Sequence, residues 1–193
     1  MNMKPVLYWG GILAAGLLLG LVSVVVGLRV GNPAITLSSG PWTTTLSAGS
    51  ADADMYTRAR VALFGLLALN KEETMYYRTA TDSAGEPLSG DCIYVLEGGD
   101  LAAHWWAITA YGLDGFLLPN EPGIYSFSKT TVKRDAAGRY TVRASAEPQA
   151  GNWIPLRAGE PFDLTARLYN PEPSVYSAPQ SAALPTIVRE SCQ

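Results

Sequence analysis

The stretch Trp105-Trp106-Ala107-Ile108-Thr109-Ala110-Tyr111 decides the fold class. Aromatic and β-branched residues suit a pleated surface, and neighbours along a strand point to opposite sides of it. Trp105 and Trp106 therefore cannot both face a core, and one of them turns outward. Runs of the same character stand at Thr74–Thr81, Asp91–Leu96, Ile124–Ser128, Arg139–Ser145 and Phe162–Tyr169. Turn signals separate them: Asp82-Ser83-Ala84-Gly85, Asp114-Gly115 and Asp135-Ala136-Ala137-Gly138. Each predicts a hairpin whose flanking strands lie side by side and antiparallel. No second helical pattern interrupts the strands, which excludes βαβ units. The expectation is an all-β domain, a mainly antiparallel β-sandwich or jelly roll.

One amphipathic helix precedes the strands. Met55, Ala59, Ala62, Leu63, Leu66 and Leu67 recur at helical spacing, Asp52 or Ser50 stands where an N-cap belongs, and Asn70-Lys71 closes the pattern. Ahead of it, Val30 to Ser50 is rich in Gly, Pro, Ser and Thr and reads as a linker, turning at Gly40-Pro41-Trp42 into an entry strand Trp42–Leu46. Earlier still, Pro5 to Leu28 carries no charge. At about 1.5 Å per residue such a helix crosses a hydrocarbon core of about 30 Å. It exceeds the apolar region of a signal peptide, about 7–15 residues, and Leu28-Arg29-Val30-Gly31-Asn32-Pro33 offers no small-x-small cleavage site. The reading is an uncleaved transmembrane anchor, with Tyr8 and Trp9 placed for one interface. Gly16 and Gly20 have the spacing that lets two such helices pair, a route to a homodimer. The chain thus divides into an anchor (1–29), linker and entry strand (30–50), helix plus sandwich (51–175) and a Pro-rich tail (176–193). Pro171 to Pro185 is expected to wrap the surface without regular structure.

Charge and motifs exclude more than they assign. From Val30 onward 12 basic residues face 17 acidic ones, which argues against a nucleic-acid binder. Aromatic residues make up 10% of the chain, too many for a disordered tail. His104 is the one histidine and cannot build a His-rich metal site. Asp82, Asp91, Asp100 and Asp114 do not fall in a calcium-loop pattern. There is no G-x-S-x-G elbow, P-loop, G-x-G-x-x-G or C-x-x-C. No cofactor, metal or catalytic residue is assigned, although constellations built from distant strands leave no local signature.

Three local features carry expectations. Asn152-Trp153-Ile154-Pro155 reads as a loop whose Trp docks into the sandwich while the Asn bonds local backbone. Arg167, mid-strand and opposite Leu164 and Leu168, needs a partner, with Asp82, Asp91 and Glu73 as candidates. Cys92 and Cys192 form an even pair that an oxidising compartment would bridge, the alternatives being a buried free Cys92 and a loose Cys192. A bridge would close 99 intervening residues, for which the chain-entropy relation gives at most about 4–5 kcal/mol.

A family resemblance emerges from the ordered set of these pieces. Glu73-Thr74-Met75-Tyr76-Tyr77, Asp82-x-x-Gly85-x-x-Leu88-x-Gly90 and Trp105-Trp106-x-Ile108-Thr109-x-Tyr111 come first. Asn120 with Tyr125-Ser126, Asn152-Trp153-Ile154-Pro155 and Phe162-x-Leu164-x-x-Arg167-Leu168-Tyr169-x-Pro171 follow. Together, over about Gly40 to Pro173, they resemble the bacterial domain of unknown function numbered 1214. The resemblance implies a β-sandwich that often accompanies a sister domain, the one numbered 1254, in the same or a neighbouring chain. This chain reads as the single-domain form on a membrane helix, a departure that ranks any activity of two-domain relatives last for it. The positive-inside rule, weighing Lys4 and the α-amino group on one side against Arg29 alone on the other, favours an N-terminus in the cytoplasm and a domain in the periplasm, as a single-pass bacterial inner-membrane protein. The functional expectation is a protein-interaction or accessory module, its partner the separate sister domain. The alternative is a small-molecule or glycan-binding module, with hydrolase activity last. Candidate ligand-binding residues are Trp105, Trp106, Tyr111, Asn120, Tyr125, Trp153 and Arg167.

Overall fold

The computed structural model describes residues 3–30, 35–63 and 69–192. Helix α1 (Met3–Val30) contains the apolar span Pro5–Leu28, with a mean hydropathy of 2.5, long and apolar enough to cross a membrane. Strands β1 (Thr36–Ser39) and β2 (Trp42–Thr45) form a hairpin. Its turn needs Gly40, at φ 56°, where a side chain would be strained. Helix α2 (Met55–Leu63) is followed by β3 (Thr74–Thr79), β4 (Cys92–Gly98), β5 (Ala103–Gly112), β6 (Ser126–Ser128), β7 (Tyr140–Ser145), β8 (Asn152–Pro155) and β9 (Phe162–Pro171). A short helix α3 (Pro173–Ser177), a 3₁₀ turn (Pro179–Ser181) and β10 (Thr186–Cys192) complete the order.

The strands make two sheets, β1-β2-β3-β9-β5-β6 and β10-β4-β7-β8. The core lies between them because alternation sends one side of each strand inward. Met75 and Tyr77 of β3, Leu164, Ala166 and Leu168 of β9, and Trp106, Ile108 and Ala110 of β5 face Tyr94, Leu96, Val142, Ile154 and Ile187 of the smaller sheet. Aromatic pairs stitch the layers: Trp106 on Tyr140 with centroids 5.2 Å apart, and Tyr94 edge-on to Phe162 at 5.7 Å. The expected sandwich character and main antiparallel pairing hold.

All six expected strands form, and the differences are in how they connect. The hairpin through Gly115 joins β5 to β6 as expected. Those through Gly85 and Gly138 are hairpins only at their tips, bridging Thr81 to Pro87 and Arg134 to Tyr140. Beyond the tips β3 and β4 enter different sheets, as do β6 and β7. A turn dictates the residues beside it, whereas the core decides where each strand goes next. Pro87 cannot donate to a ladder, and a Cβ on Gly90 would strike the Arg157 carbonyl. β7 and β8 pair in parallel across the short loop 146–151 without a helix.

Other expectations are corrected. Asn152–Pro155 is strand β8, not a loop. Ile154 fills the core there, while Trp153 is half-buried and donates to the Ser145 carbonyl at 3.0 Å. Asn152 bonds distant rather than local backbone: Lys133 N–H at 2.8 Å, and the Lys133 and Thr141 carbonyls at 2.9 Å each. The stretch expected to lack regular structure contains α3 and the 3₁₀ turn, and β10 follows it. The linker contributes β1 as well as the expected entry strand. Asp54, rather than Asp52 or Ser50, caps α2, accepting from the Tyr56 and Thr57 N–H groups at 2.9 and 3.1 Å and from the Thr57 hydroxyl at 2.6 Å. Leu66 and Leu67 of the expected helical stripe, and Gly31-Asn32-Pro33 of the linker, lie outside the described residues. Cys92 and Cys192 stand opposite each other in the β4–β10 ladder and are joined by a disulfide, so neither is free.

Candidate functional site

The side chains that alternation turns away from the core converge on the outer face of the larger sheet. Thr74, Tyr76 and Arg78 come from β3, Asp163, Thr165, Arg167 and Tyr169 from central β9, and Trp105, Ala107, Thr109 and Tyr111 from β5. The register sets rows across the strands: Thr74, Tyr169 and Trp105; Tyr76, Arg167 and Ala107; Arg78, Thr165 and Thr109. Ala107, Thr109, Asp163 and Thr165 form a buried floor under the long residues around them, which are half-buried.

Two arginines lean along this face. Arg78 reaches the Asp163 carboxylate at 2.7 Å. Arg167 donates to the Tyr111 hydroxyl at 2.7 Å and the Thr109 hydroxyl at 3.4 Å, its guanidinium 5.1 Å from the centre of the Tyr111 ring. Its partner is thus Tyr111, and none of the three expected carboxylates. Asp82 instead pairs with Arg189 at 3.2 Å, and Asp91 accepts the Gly159 N–H at 2.7 Å. Trp105 packs against Tyr169, centroids 5.4 Å apart.

Burial pushes the Asp163 carboxyl above its ordinary value of 3.8, with Arg78 and Arg167 pulling against it. Burial likewise raises the Tyr76 phenol, helped by the neighbouring Tyr169 and opposed by Arg167. The face is therefore aromatic and cationic at its surface over a carboxylate held beneath. It can stack on planar groups, donate hydrogen bonds from Arg167 and accept none at the guanidinium.

Of the seven expected binding residues, the structure brings together Trp105, Tyr111 and Arg167. Trp106 has turned inward, fully buried, its indole N–H donating to Asp100 at 2.7 Å. Asn120 folds its own loop, bonding the Leu118 and Ile124 carbonyls and the Ile124 N–H at 3.0 Å each. The Tyr125 carbonyl accepts the Ala110 N–H at 3.2 Å at the β5–β6 edge, and Trp153 sits on the other sheet. Tyr76, Arg78, Asp163, Thr165 and Tyr169 are not among the binding residues expected from the sequence. The signal for the β9 members was there: Phe162, Leu164, Ala166 and Leu168 leave 163, 165, 167 and 169 for the opposite side. Among the described residues, no group of three or more His, Cys, Asp or Glu is placed to hold a metal.

Comparison with known proteins bears on the fold and the family. The sequence profile described as "Protein of unknown function (DUF1214)" matches residues 73–173, which contain β3 through β9. No curated protein matches the sequence. The crystal structure of the VPA0106 protein from Vibrio parahaemolyticus is similar over 89% of this chain, with a TM-score of 0.63 and 24% identity, which shows a shared fold. This chain spans 43% of that one. An uncharacterised protein from Burkholderia cenocepacia is similar over 63% of this chain and 30% of its own, at 16% identity and a TM-score of 0.43.

Proposed function

The chain belongs to the DUF1214 family of proteins of unknown function, and on that premise we propose that it is a membrane-anchored interaction module that docks a folded protein partner. The observation that carries this reading is the outer face of the larger sheet, where Trp105, Tyr169, Tyr76, Tyr111 and Arg167 lie together half-buried over a polar floor. Trp, Tyr and Arg are the residues in which binding energy concentrates at protein interfaces. In the Vibrio parahaemolyticus protein the same fold occupies under half of the chain and so works beside further polypeptide. We assign the partner as a separate chain carrying the sister domain numbered 1254. The apolar helix α1 anchors the module, its N-terminus in the cytoplasm and its domain in the periplasm. The disulfide supports that orientation, because such bonds persist in oxidising compartments. A pair of α1 helices meeting at Gly16 and Gly20 fits the same reading, since among the described residues no other part of the fold comes within 4 Å of a Cβ at either glycine.

The test is site-specific crosslinking from position 105 in the full-length protein within its native membrane, with mass-spectrometric identification of the product. A sister-domain protein crosslinked at Trp105, lost when Arg167→Ala is added, supports the reading. A solitary monomer under every mild detergent, with no crosslink at this face, overturns it. Quenching of tryptophan fluorescence by a sugar from a broad panel, abolished by Trp105→Ala, would favour the glycan-binding alternative.

A further inference from the structure

Helix α2 faces the wrong way for a helix that packs on a core. At 100° per residue, Met55, Tyr56, Ala59, Ala62 and Leu63 fall within an arc of roughly 120°. The buried Thr57 lies on the other side. That other side, with Arg60 and Val61, borders a cleft against Thr43, Thr45 and Tyr76 of the larger sheet's β2 and β3. The apolar arc looks outward: Met55 is 82% exposed and Leu63 69%. Single exposed apolar side chains are ordinary, but a continuous stripe of them on one helix is not.

What lies over the stripe is indicated by α1. The Tyr56 ring packs directly on Gly27, so closely that a Cβ there would stand 2.9 Å from its Cδ1 and Cε1. The apolar span ends one residue later, at Leu28. The stripe of α2 therefore begins at the depth where α1 leaves the hydrocarbon. Its charged residues avoid the arc: Arg60 flanks it, and Arg58 turns back to donate to the Ala53 and Ala51 carbonyls at 2.8 and 2.6 Å. Apolar on one side, cationic at the margin and beside a membrane-crossing helix, this is the pattern of a helix lying in the interface plane.

We infer that α2 is an interfacial helix, seating Met55, Ala59, Ala62 and Leu63 among the headgroups and upper acyl chains of the bilayer that α1 crosses. Tyr56 sits at the boundary, where amphipathic rings settle. The inference rests on α1 being a membrane anchor. Its consequence is that the domain is fastened at two points, with the β1–β2–β3 side of the larger sheet held near the lipid surface.

The experiment uses the full chain in phosphatidylcholine nanodiscs. The two native cysteines are bonded to each other, so an introduced cysteine is the free thiol that takes an environment-sensitive fluorophore. Met55→Cys and Leu63→Cys report on the stripe, Leu17→Cys on the span, and Glu121→Cys on the loop before β6, at the far edge of the sheet. The inference expects blue-shifted emission at 55 and 63, lost to a shallow lipid-borne quencher and little affected by aqueous iodide, with the reverse at 121. Iodide quenching at 55 and 63 equal to that at 121 overturns it. So does shielding of both sites from iodide and lipid quencher alike, which would mean a protein cover. If the label at 17 escapes a deep lipid quencher, the anchor fails and the inference falls with it. If 17 is quenched while 55 and 63 stay aqueous, the anchor stands and the interfacial helix alone fails.

Discussion

Arg78 on β3 and Asp163 on β9 are 2.7 Å apart across the outer face of the sheet, the carboxylate buried and the guanidinium partly in water. Removing Asp163 takes from Arg78 the counter-charge that helps to offset its partial burial. Asp163→Ala should cost about 3 kcal/mol, the low end for a buried pair because Arg78 keeps some hydration. Asp163→Asn, which retains an acceptor, should cost less. Urea unfolding of the detergent-solubilised chain measures both; equal costs would show that the retained acceptor contributes nothing, and a neutral Asp163→Asn would show that the charge contributes nothing.

The two carboxylates Asp163 and Asp100 should titrate on opposite sides of 3.8. Burial dominates at Asp163 and raises it. At Asp100 burial also pushes upward, but the Trp106 indole, Lys129 and Arg134 together outweigh it and hold the group low. The folded state binds a proton at Asp163 more readily than the unfolded chain does. Its contribution to stability is therefore greatest below 3.8 and declines as pH rises through the raised value. For Asp100 the sign reverses: its contribution is complete above 3.8 and is lost as pH falls through the lowered value. Carboxyl NMR titration should resolve the split, and Trp106→Phe should move Asp100 upward by removing its indole donor.

Cys92 and Cys192 close the ladder between β4 and β10. With 100 residues of separation, losing the bond should cost about 2–5 kcal/mol. Ile187, fully buried, holds the other end of β10 independently. Cys192→Ala should therefore release amide protection first near Ser191 while Ile187 stays protected. Hydrogen exchange on the oxidised wild type and the variant makes the comparison, and simultaneous release of both ends would show that the strand depends wholly on the bridge.

The same strand shows where sequence reading stops. Period-two alternation was legible wherever a run was long, which is why β5 and β9 could be placed as strands. Trp105 and Trp106 had to part, and they do. Sheet membership was not legible, because Gly85 and Gly138 govern only their own turns while Leu88 and Val132 follow the core. β8 and β10 escaped for different reasons: β8 pairs in parallel with β7 across a short loop that carries no hairpin turn, and β10 joins β4 through residues far apart in the chain, Ile187 against Leu96. Of the candidate face, three residues were legible as binding candidates: Trp105, Tyr111 and Arg167. Tyr111 and Arg167 could be named individually, but their pairing spans 56 residues and depends on the β5–β9 register.

Ile154 and Trp153 exchange the roles that residue size suggests. Ile154 has no exposure and packs between the sheets, whereas Trp153 lies half-buried along an edge strand, tied by its indole N–H to Ser145. Ile154→Ala should cost about 2–5 kcal/mol, as for aliphatic truncation in a packed core. Trp153→Ala should cost less, about 1–2 kcal/mol, losing one hydrogen bond and part of an apolar face. Thermal unfolding of the two variants ranks them, and a larger loss at Trp153 would contradict this packing.

Arg167 and Tyr111 permit the sharpest separation of stability from recognition on the candidate face. Their hydroxyl–guanidinium contact is short at 2.7 Å, and the guanidinium also lies over the same ring. Tyr111→Phe removes the hydroxyl and keeps the ring, while Arg167→Met removes the charge and keeps much of the apolar stem. A charge-assisted hydrogen bond in a half-buried site should give a coupling of about 1 kcal/mol in a double-mutant cycle. A coupling near zero would mean that Arg167 is held by packing on β9 rather than by Tyr111. Binding should respond differently. If Arg167 reaches the partner directly, Arg167→Met abolishes the crosslink from position 105 while Tyr111→Phe weakens it slightly. Equal losses would place Arg167 as a support for Tyr111, which would then be the contacting residue. Measuring stability and crosslinking yield on the same four proteins separates the two roles, because a fold defect moves both readouts together and a contact defect moves only the second.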